Sequence, residues 1–207
     1  MVDCGADWLR HLRRVAPHAI VLTHAHPDHA FGLAHGAPCP VWATEVCWSS
    51  LTRFPIDERR VIRPNRPLTV EGIRFTAFPV EHSVLAPAVG YRISVGRATR
   101  IFYAPDLVFI VDRASALRGV SIYVGDGATL TRPLVRRRTG HLIGHAPVMT
   151  QLAWCRDAGV SRAIFTHCGS AIVRAPHEEM STHLADLGAR CAVAVELAYD
   201  GMSRVLR

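Results

Sequence analysis

The segment Thr23-His24-Ala25-His26-Pro27-Asp28-His29 sets three imidazoles and one carboxylate within six residues. Packing alone does not explain that density of polar rings behind an apolar run. Imidazole nitrogen and carboxylate oxygen together suit Zn²⁺ or another first-row divalent ion. In an extended loop, His24 and His26 point the same way, while Asp28 and His29 turn towards a neighbouring point. So tight a loop cannot place all four on one metal, so two adjacent metals are expected, with further ligands from later in the chain. His82 follows an apolar strand ending at Val80, Asp106 one ending at Tyr103, and His167 one ending at Phe165. A strand end presents a side chain rigidly, as a ligand requires. Taken singly, each of these three reads as structural; with the histidine loop they read as a ligand set.

The elements that must position these residues are short. Residues 19–23 read as a buried strand, 24–29 as a loop, and 30 onward as the start of a helix. A strand is expected at 41–43 and a helical piece at 45–53. Residues 68–80 alternate as two strands turned at Glu71-Gly72, and 89–95 with 99–103 as a hairpin across Gly96-Arg97. Another strand covers 121–124. Pro147 and Gly159 bracket a helix whose apolar face carries Val148, Leu152 and Cys155. A buried strand at 163–165 leads to Thr166-His167. The next helix, at 177–187, has Glu178 and Glu179 in its first turn, where the helix dipole favours them, and Met180, Leu184 and Leu187 on its core face. Residues 192–197 and 202–205 read as a closing hairpin about Asp200-Gly201. Short strands with interspersed helices give an α/β chain with helices packed outside sheets.

The 207 residues are enough for one domain spanning 1–207 with a sizeable core, and 49% hydrophobic against 20% charged residues excludes disorder. No apolar run reaches the ~18 residues of a membrane helix, so no membrane partner is expected. No signal peptide is evident, and the six cysteines form no C-x-x-C pair. They read as small buried hydrophobes in a reducing cytosol, which makes the expected location cytoplasmic. All 24 basic residues are Arg and the net charge is +7. Most of that basicity reads as genome composition and a solvated surface, but guanidinium forks also suit phosphate.

His-Ala-His-Pro-Asp-His resembles the signature of the metallo-β-lactamase-fold hydrolase superfamily, and His82, Asp106 and His167 follow in that family's order. Val2-Asp3-Cys4-Gly5 resembles its strand-ending Asp-Gly motif. The resemblance implies a metallo-β-lactamase-like αββα sandwich lacking the usual N-terminal strands, since only two residues precede Asp3. An exposed sheet edge would then favour a homodimer. It also implies a first metal held by His24, His26 and His82, a second by Asp28, His29 and His167, and Asp106 between them. The cofactor would be two divalent ions, Zn²⁺ foremost with Mn²⁺ or Fe as alternatives, and a metal-bridging hydroxide would be the nucleophile.

Gly144-His145 lies 22 residues before His167, a spacing similar to that of the tRNase Z and cyclic phosphodiesterase branch. The resemblance assigns Asp28 and His145 as catalytic, with His145 serving the leaving oxygen. His141 competes for that role with a poorer spacing. Asp126 reads as a supporting or structural carboxylate. Arg132, Arg136, Arg137 and Arg138 precede His145, and Arg174 follows His167. Of these, Arg136 and Arg174 are the expected contacts for a small phosphodiester or nucleotide-derived substrate, with nucleic acid as an extension. Thioesterase or lactonase chemistry is the alternative activity, and a non-catalytic metal-binding accessory protein the alternative class. The remaining histidines, His11, His18, His35, His177 and His183, read as structural.

Overall fold

The structure, a computed structural model, describes residues 1–96 and 99–205. The first part of the chain builds a small parallel sheet from β1 (Ile20–Val21), β2 (Val41–Ala43) and β3 (Arg59–Val61). Helix α1 (Leu12–Val15) precedes these strands, and α2 (Pro27–Ala30) and α3 (Glu45–Ser50) lie between them in the chain. Val2 adds a single parallel bridge to Val21.

Next come β4 (Pro67–Val70), β5 (Ile73–Glu81), β6 (Ala88–Val95), β7 (Thr99–Tyr103), β8 (Phe109–Ile110), α4 (Arg113–Leu117) and β9 (Ile122–Asp126). A separate hairpin, β10 (Leu134–Arg138) with β11 (His141–His145), precedes α5 (Val148–Asp157) and β12 (Arg162–Thr166). The helices α6 (Ser170–Arg174) and α7 (His177–Ala189) then lead to β13 (Ala194–Leu197). The large sheet runs β13-β12-β9-β7-β6-β5-β4, with β8 paired to the end of β5. Its β13, β12, β9 and β7 are parallel neighbours, and the pairs from β7 to β4 are antiparallel.

Period-two alternation assigns each face of the large sheet. Phe75, Ala77, Val89 and Tyr91 join Val21 and Ile62 in a core between the two sheets. Phe78, Val80, Ala88 and Phe102 face the other way, against Leu117 of α4, Leu152 of α5 and Leu184 of α7. Trp48 of α3 and Leu12 of α1 cover the outer face of the small sheet, with Ile20 and Val41. The layers are therefore helix, sheet, sheet, helix, the expected αββα sandwich. Tyr91, fully buried, donates its hydroxyl to the Leu22 carbonyl at 2.6 Å, fastening one sheet to the other just before His24.

Three local expectations change. The loop expected through His29 ends earlier, because Pro27 opens α2 with its φ already helical and Asp28 sits favourably at the N-terminal dipole. Residues 134–145, for which the sequence predicts no element, form the β10–β11 hairpin; Thr139 and Gly140 both take positive φ at its tip (48° and 85°), the geometry of a tight hairpin turn. The closing hairpin does not form. β13 pairs parallel with β12, and residues 202–205 make no strand. They bury no alternating face, and Arg204 instead reaches back to Glu196 at 3.0 Å through its side chain. The Arg97 half of the expected Gly96-Arg97 turn lies outside the described residues.

Candidate metal centre

The strand ends deliver the expected side chains to one place. His24 follows β1, His26 caps α2, His82 follows β5 and Asp106 follows β7, and one donor atom of each lies within 4.8 Å of the others. His26 Nδ1 stands 3.0 Å from His24 Nε2 and 3.2 Å from His82 Nε2. Asp106 Oδ2 is 3.4 Å from His24 Nε2. A second group, sharing Asp106, holds Asp28, His29 and His167. There, His29 Nε2 lies 2.8 Å from Asp106 Oδ2, and His167 Nε2 lies 3.1 Å from Asp28 Oδ2. All seven expected donors are thus brought together, in the two sets expected, with Asp106 common to both.

Buried hydrogen bonds set which nitrogen of each ring is left over. Thr23 gives its hydroxyl proton to Asp3 (2.9 Å to Oδ2), so its oxygen accepts from His24 Nδ1 at 2.9 Å. His29 Nδ1 donates to Asp3 Oδ2 at 2.9 Å, and His82 Nδ1 donates to the Gly144 carbonyl at 3.0 Å. Each ring therefore turns its Nε2 inward, the arrangement by which outer partners orient metal-bound imidazoles. Burial and neighbouring rings hold His24 well below the ordinary imidazole range, and burial lowers His26 and His82, so all three are neutral donors near pH 7. In the second group burial pulls His29 and His167 down, but the carboxylates overcome it. Asp106, Asp28 and Asp3 raise His29 to about 12, and Asp106 and Asp28 raise His167 to about 9. This half of the site draws positive charge strongly.

The fit to a cation rests on three buried atoms. Among the described residues, His29 Nε2, Asp106 Oδ1 and His167 Nδ1 have no hydrogen-bond partner. Orphaned buried polar atoms cost roughly 1–3 kcal/mol each, and here they converge with other donors at distances too close for mutual lone-pair repulsion to be free. The chemistry of the set, imidazoles with a shared carboxylate, matches first-row divalent ions.

Backbone details let these groups meet. Asp3 and His167 take positive φ of 58° and 52°, a left-handed conformation that costs about 1–2 kcal/mol outside glycine. Gly5 lets α2 approach, since a Cβ there would collide with the Asp28 carbonyl. Gly144 (φ 116°) would likewise drive a Cβ into the Leu134 carbonyl. Its N–H donates to the His82 carbonyl at 2.9 Å while its own carbonyl accepts from the His82 ring.

His145, at the end of β11, adjoins both groups. Its ring stacks on His167 at 5.7 Å and 17°, and its Nδ1 donates to Asp126 Oδ2 at 2.8 Å, leaving Nε2 free. Asp126 is fully buried and also accepts from the backbone N–H groups of Leu107 and Ala128, so it both supports His145 and ties strand ends. Gln151, missed in the sequence, completes this support. Its Oε1 accepts from Tyr123 Oη (2.9 Å) and Asp126 N (3.0 Å), and its Nε2 donates to the Asp126 and Ala146 carbonyls. The available signal was an amide on the otherwise apolar Val148–Leu152–Cys155 face. His141 lies at the exposed start of β11, away from the cluster.

Of the two expected substrate contacts, Arg136 is exposed on β10 and Arg174 is exposed at the end of α6. A cavity of about 530 Å³ beside His167 is lined by Cys168, Ile172, Met180, Leu197 and Tyr199 among others, without Arg174.

The model of the beta-lactamase superfamily domain matches residues 1–168. This chain belongs to the beta-lactamase superfamily. No curated protein matches the sequence significantly. Among solved structures, this superfamily member is similar to the metallo-beta-lactamase fold protein YhfI from Bacillus subtilis (TM-score 0.69, 16% identity, 97% of this chain and 84% of that one). It is similar to a new diphosphatase from the PhnP family (TM-score 0.70, 20% identity, 100% and 79%). It also resembles an isothiocyanate hydrolase from Delia radicum gut bacteria (TM-score 0.65, 15% identity, 92% and 77%). At these identities the likeness is one of fold, and a shared fold hosts many chemistries.

Proposed function

We propose that this superfamily member is a dinuclear metal-dependent hydrolase of phosphodiesters. The observation that carries the reading is the Asp126–His145 pair beside the shared Asp106, at 2.8 Å and 3.5 Å from His145 Nδ1 respectively. His24, His26 and His82 would hold one divalent ion and Asp28, His29 and His167 the other, with Asp106 contributing to both. Two such ions, Zn²⁺ foremost, supply a polarised scissile group and a water of lowered pKa. The chain supplies the proton. Burial lowers the His145 imidazole, but Asp126 more than offsets it and raises it above the ordinary value. With Asp126 holding Nδ1, His145 would present Nε2 to the leaving oxygen as proton donor. The likeness to a PhnP-family diphosphatase favours a phosphorus centre over an acyl one. Arg136 and Arg174 are assigned to the outer approach of the substrate, steering rather than binding it at the metals.

Thioesterase or lactonase chemistry is the second reading, favoured by the largely apolar cavity beside His167. His145→Ala separates the two. Turnover of bis-aryl phosphate should fall by about 10²–10⁴-fold with metal content unchanged. Unchanged turnover overturns the role of His145, and thioester turnover exceeding phosphodiester turnover overturns the substrate class.

A further inference from the structure

The helix-side face of the large sheet is apolar where α4, α5 and α7 cover it, but its end remote from the metal ligands is bare and basic. Arg74 and Thr76 on β5, Arg92 and Ser94 on β6, and Arg100 on β7 all point to this side. The register sets Arg74 opposite Ser94, Ser94 opposite Arg100, and Thr76 opposite Arg92. Arg118, just after α4, closes the side of the same depression. Two adjoining clefts of about 340 and 570 Å³ share Arg74, Thr76, Arg92 and Arg118, and Arg100 lines the larger.

Among the described residues, none of these four guanidiniums makes an ion pair. The single carboxylate lining the clefts, Asp112, is already the acceptor for the Ser115 N–H at the start of α4. Arg92 is fixed in place: its carbon lies 5.1 Å over the Phe78 ring and one nitrogen donates to the Ser115 carbonyl at 2.8 Å. Burial, then the charges of Arg100, Arg74 and Arg118, pull its pKa down. Four like charges held together on a rigid sheet repel one another unless an anion lies between them. The backbones of Arg74 and Arg100 stand two strands apart, about 10 Å at the ~4.8 Å strand spacing, so with Arg92 between them the basic lining spans three strands and has width for more than one phosphoryl group. Guanidinium forks match phosphoryl oxygens in pairs.

We propose that this cleft is a second binding site, specific for an anion carrying two or more linked phosphoryl groups. It lies roughly 23 Å from the metal ligands, taking seven residues of β5 from Arg74 to Glu81 at ~3.3 Å each. Its occupant is therefore a ligand distinct from any group being cleaved at the metals.

The test is calorimetric titration of the metal-loaded full chain with methylenediphosphonate, which has no P–O–P bond to cleave. Binding at the cleft is expected to weaken about tenfold or more in Arg74→Gln/Arg100→Gln, the scale of losing charge-assisted contacts. Metal content, melting temperature and any event at the metal centre should not change. If that double variant misfolds, Arg118→Gln, exposed and outside the sheet, should show a loss in the same direction. Identical isotherms for the wild-type and folded variants overturn the proposal. So does a single-stranded oligonucleotide that binds in an Arg74- and Arg100-dependent way while methylenediphosphonate does not. The readout is independent of the hydrolase reading, because loss of phosphodiesterase activity would leave the cleft titration intact.

Discussion

At the residue scale, the proposed ligand set is held by a layer of neutral and anionic partners that fix tautomers. Asp3 serves two rings at once, taking the Thr23 hydroxyl that orients His24 and the Nδ1 proton of His29. Asp126 does the same for His145. Because Asp126 acts through His145, their substitutions should not add. Asp126→Asn is expected to lower kcat for a phosphodiester by about 10–100-fold, and Asp126→Asn/His145→Ala should lose no more than His145→Ala alone. A double variant much slower than either single one would show that Asp126 has a separate role. Gln151 is a stability residue. Removing its amide strands Tyr123 Oη, Asp126 N and the Asp126 and Ala146 carbonyls in the core. Gln151→Ala should cost roughly 3 kcal/mol, read as a lower urea midpoint at unchanged slope.

At the scale of elements, the site depends on how closely three pieces approach. Helix α2 packs so tightly against the Asp3–Gly5 turn that Gly5 has no room for a side chain. Gly5→Ala should push α2 outward, carrying Asp28 and His29 with it. The expected result is loss of one metal per chain by elemental analysis, with the other retained by His24, His26 and His82. Loss of neither metal would mean that the turn yields instead. The β10–β11 hairpin is the third piece. Its Gly144 exchanges two hydrogen bonds with His82, and its last residue is His145. One supersecondary unit therefore positions both a proposed metal ligand and the proposed proton donor.

At the scale of the whole molecule, His24, His26, Asp28 and His29 belong to the half built on the small sheet, and His82, Asp106 and His167 to the large sheet. Metal bound between them, as proposed, would link the two layers in the folded state alone. At a free concentration 100 times Kd each ion adds about 2.7 kcal/mol, so chelation of both should lower Tm by about 10–20 °C at this chain length. An unchanged Tm after verified metal removal would place the ions outside the junction. No described helix is long and apolar enough to cross a membrane.

What could be read at each level follows from how local its cause is. The ligand types were legible because His-Ala-His-Pro-Asp-His concentrates donors no core can use, and because His82, Asp106 and His167 each close an apolar run. The α5 and α7 faces were legible for the same reason: one turn of helix brings Val148, Leu152 and Cys155 into line without outside help. The start of α2 at Pro27 was also written locally, in a proline at a first helical position. The closing hairpin was misread because a strand shows its alternation but not its neighbour. Whether β13 pairs with residues 202–205 or with β12 depends on α7 packing back over the sheet. Gln151, the Asp3 network and the basic cleft share that property. Arg74, Arg92, Arg100 and Arg118 are scattered over 45 positions of sequence, and only strand register sets them side by side. The amino-acid sequence by itself determined the chemistry available, since donor type and spacing are local. Tertiary structure alone decided which donors converge, which nitrogen each ring offers and where unpaired charge collects, because those depend on contacts between segments far apart in the chain.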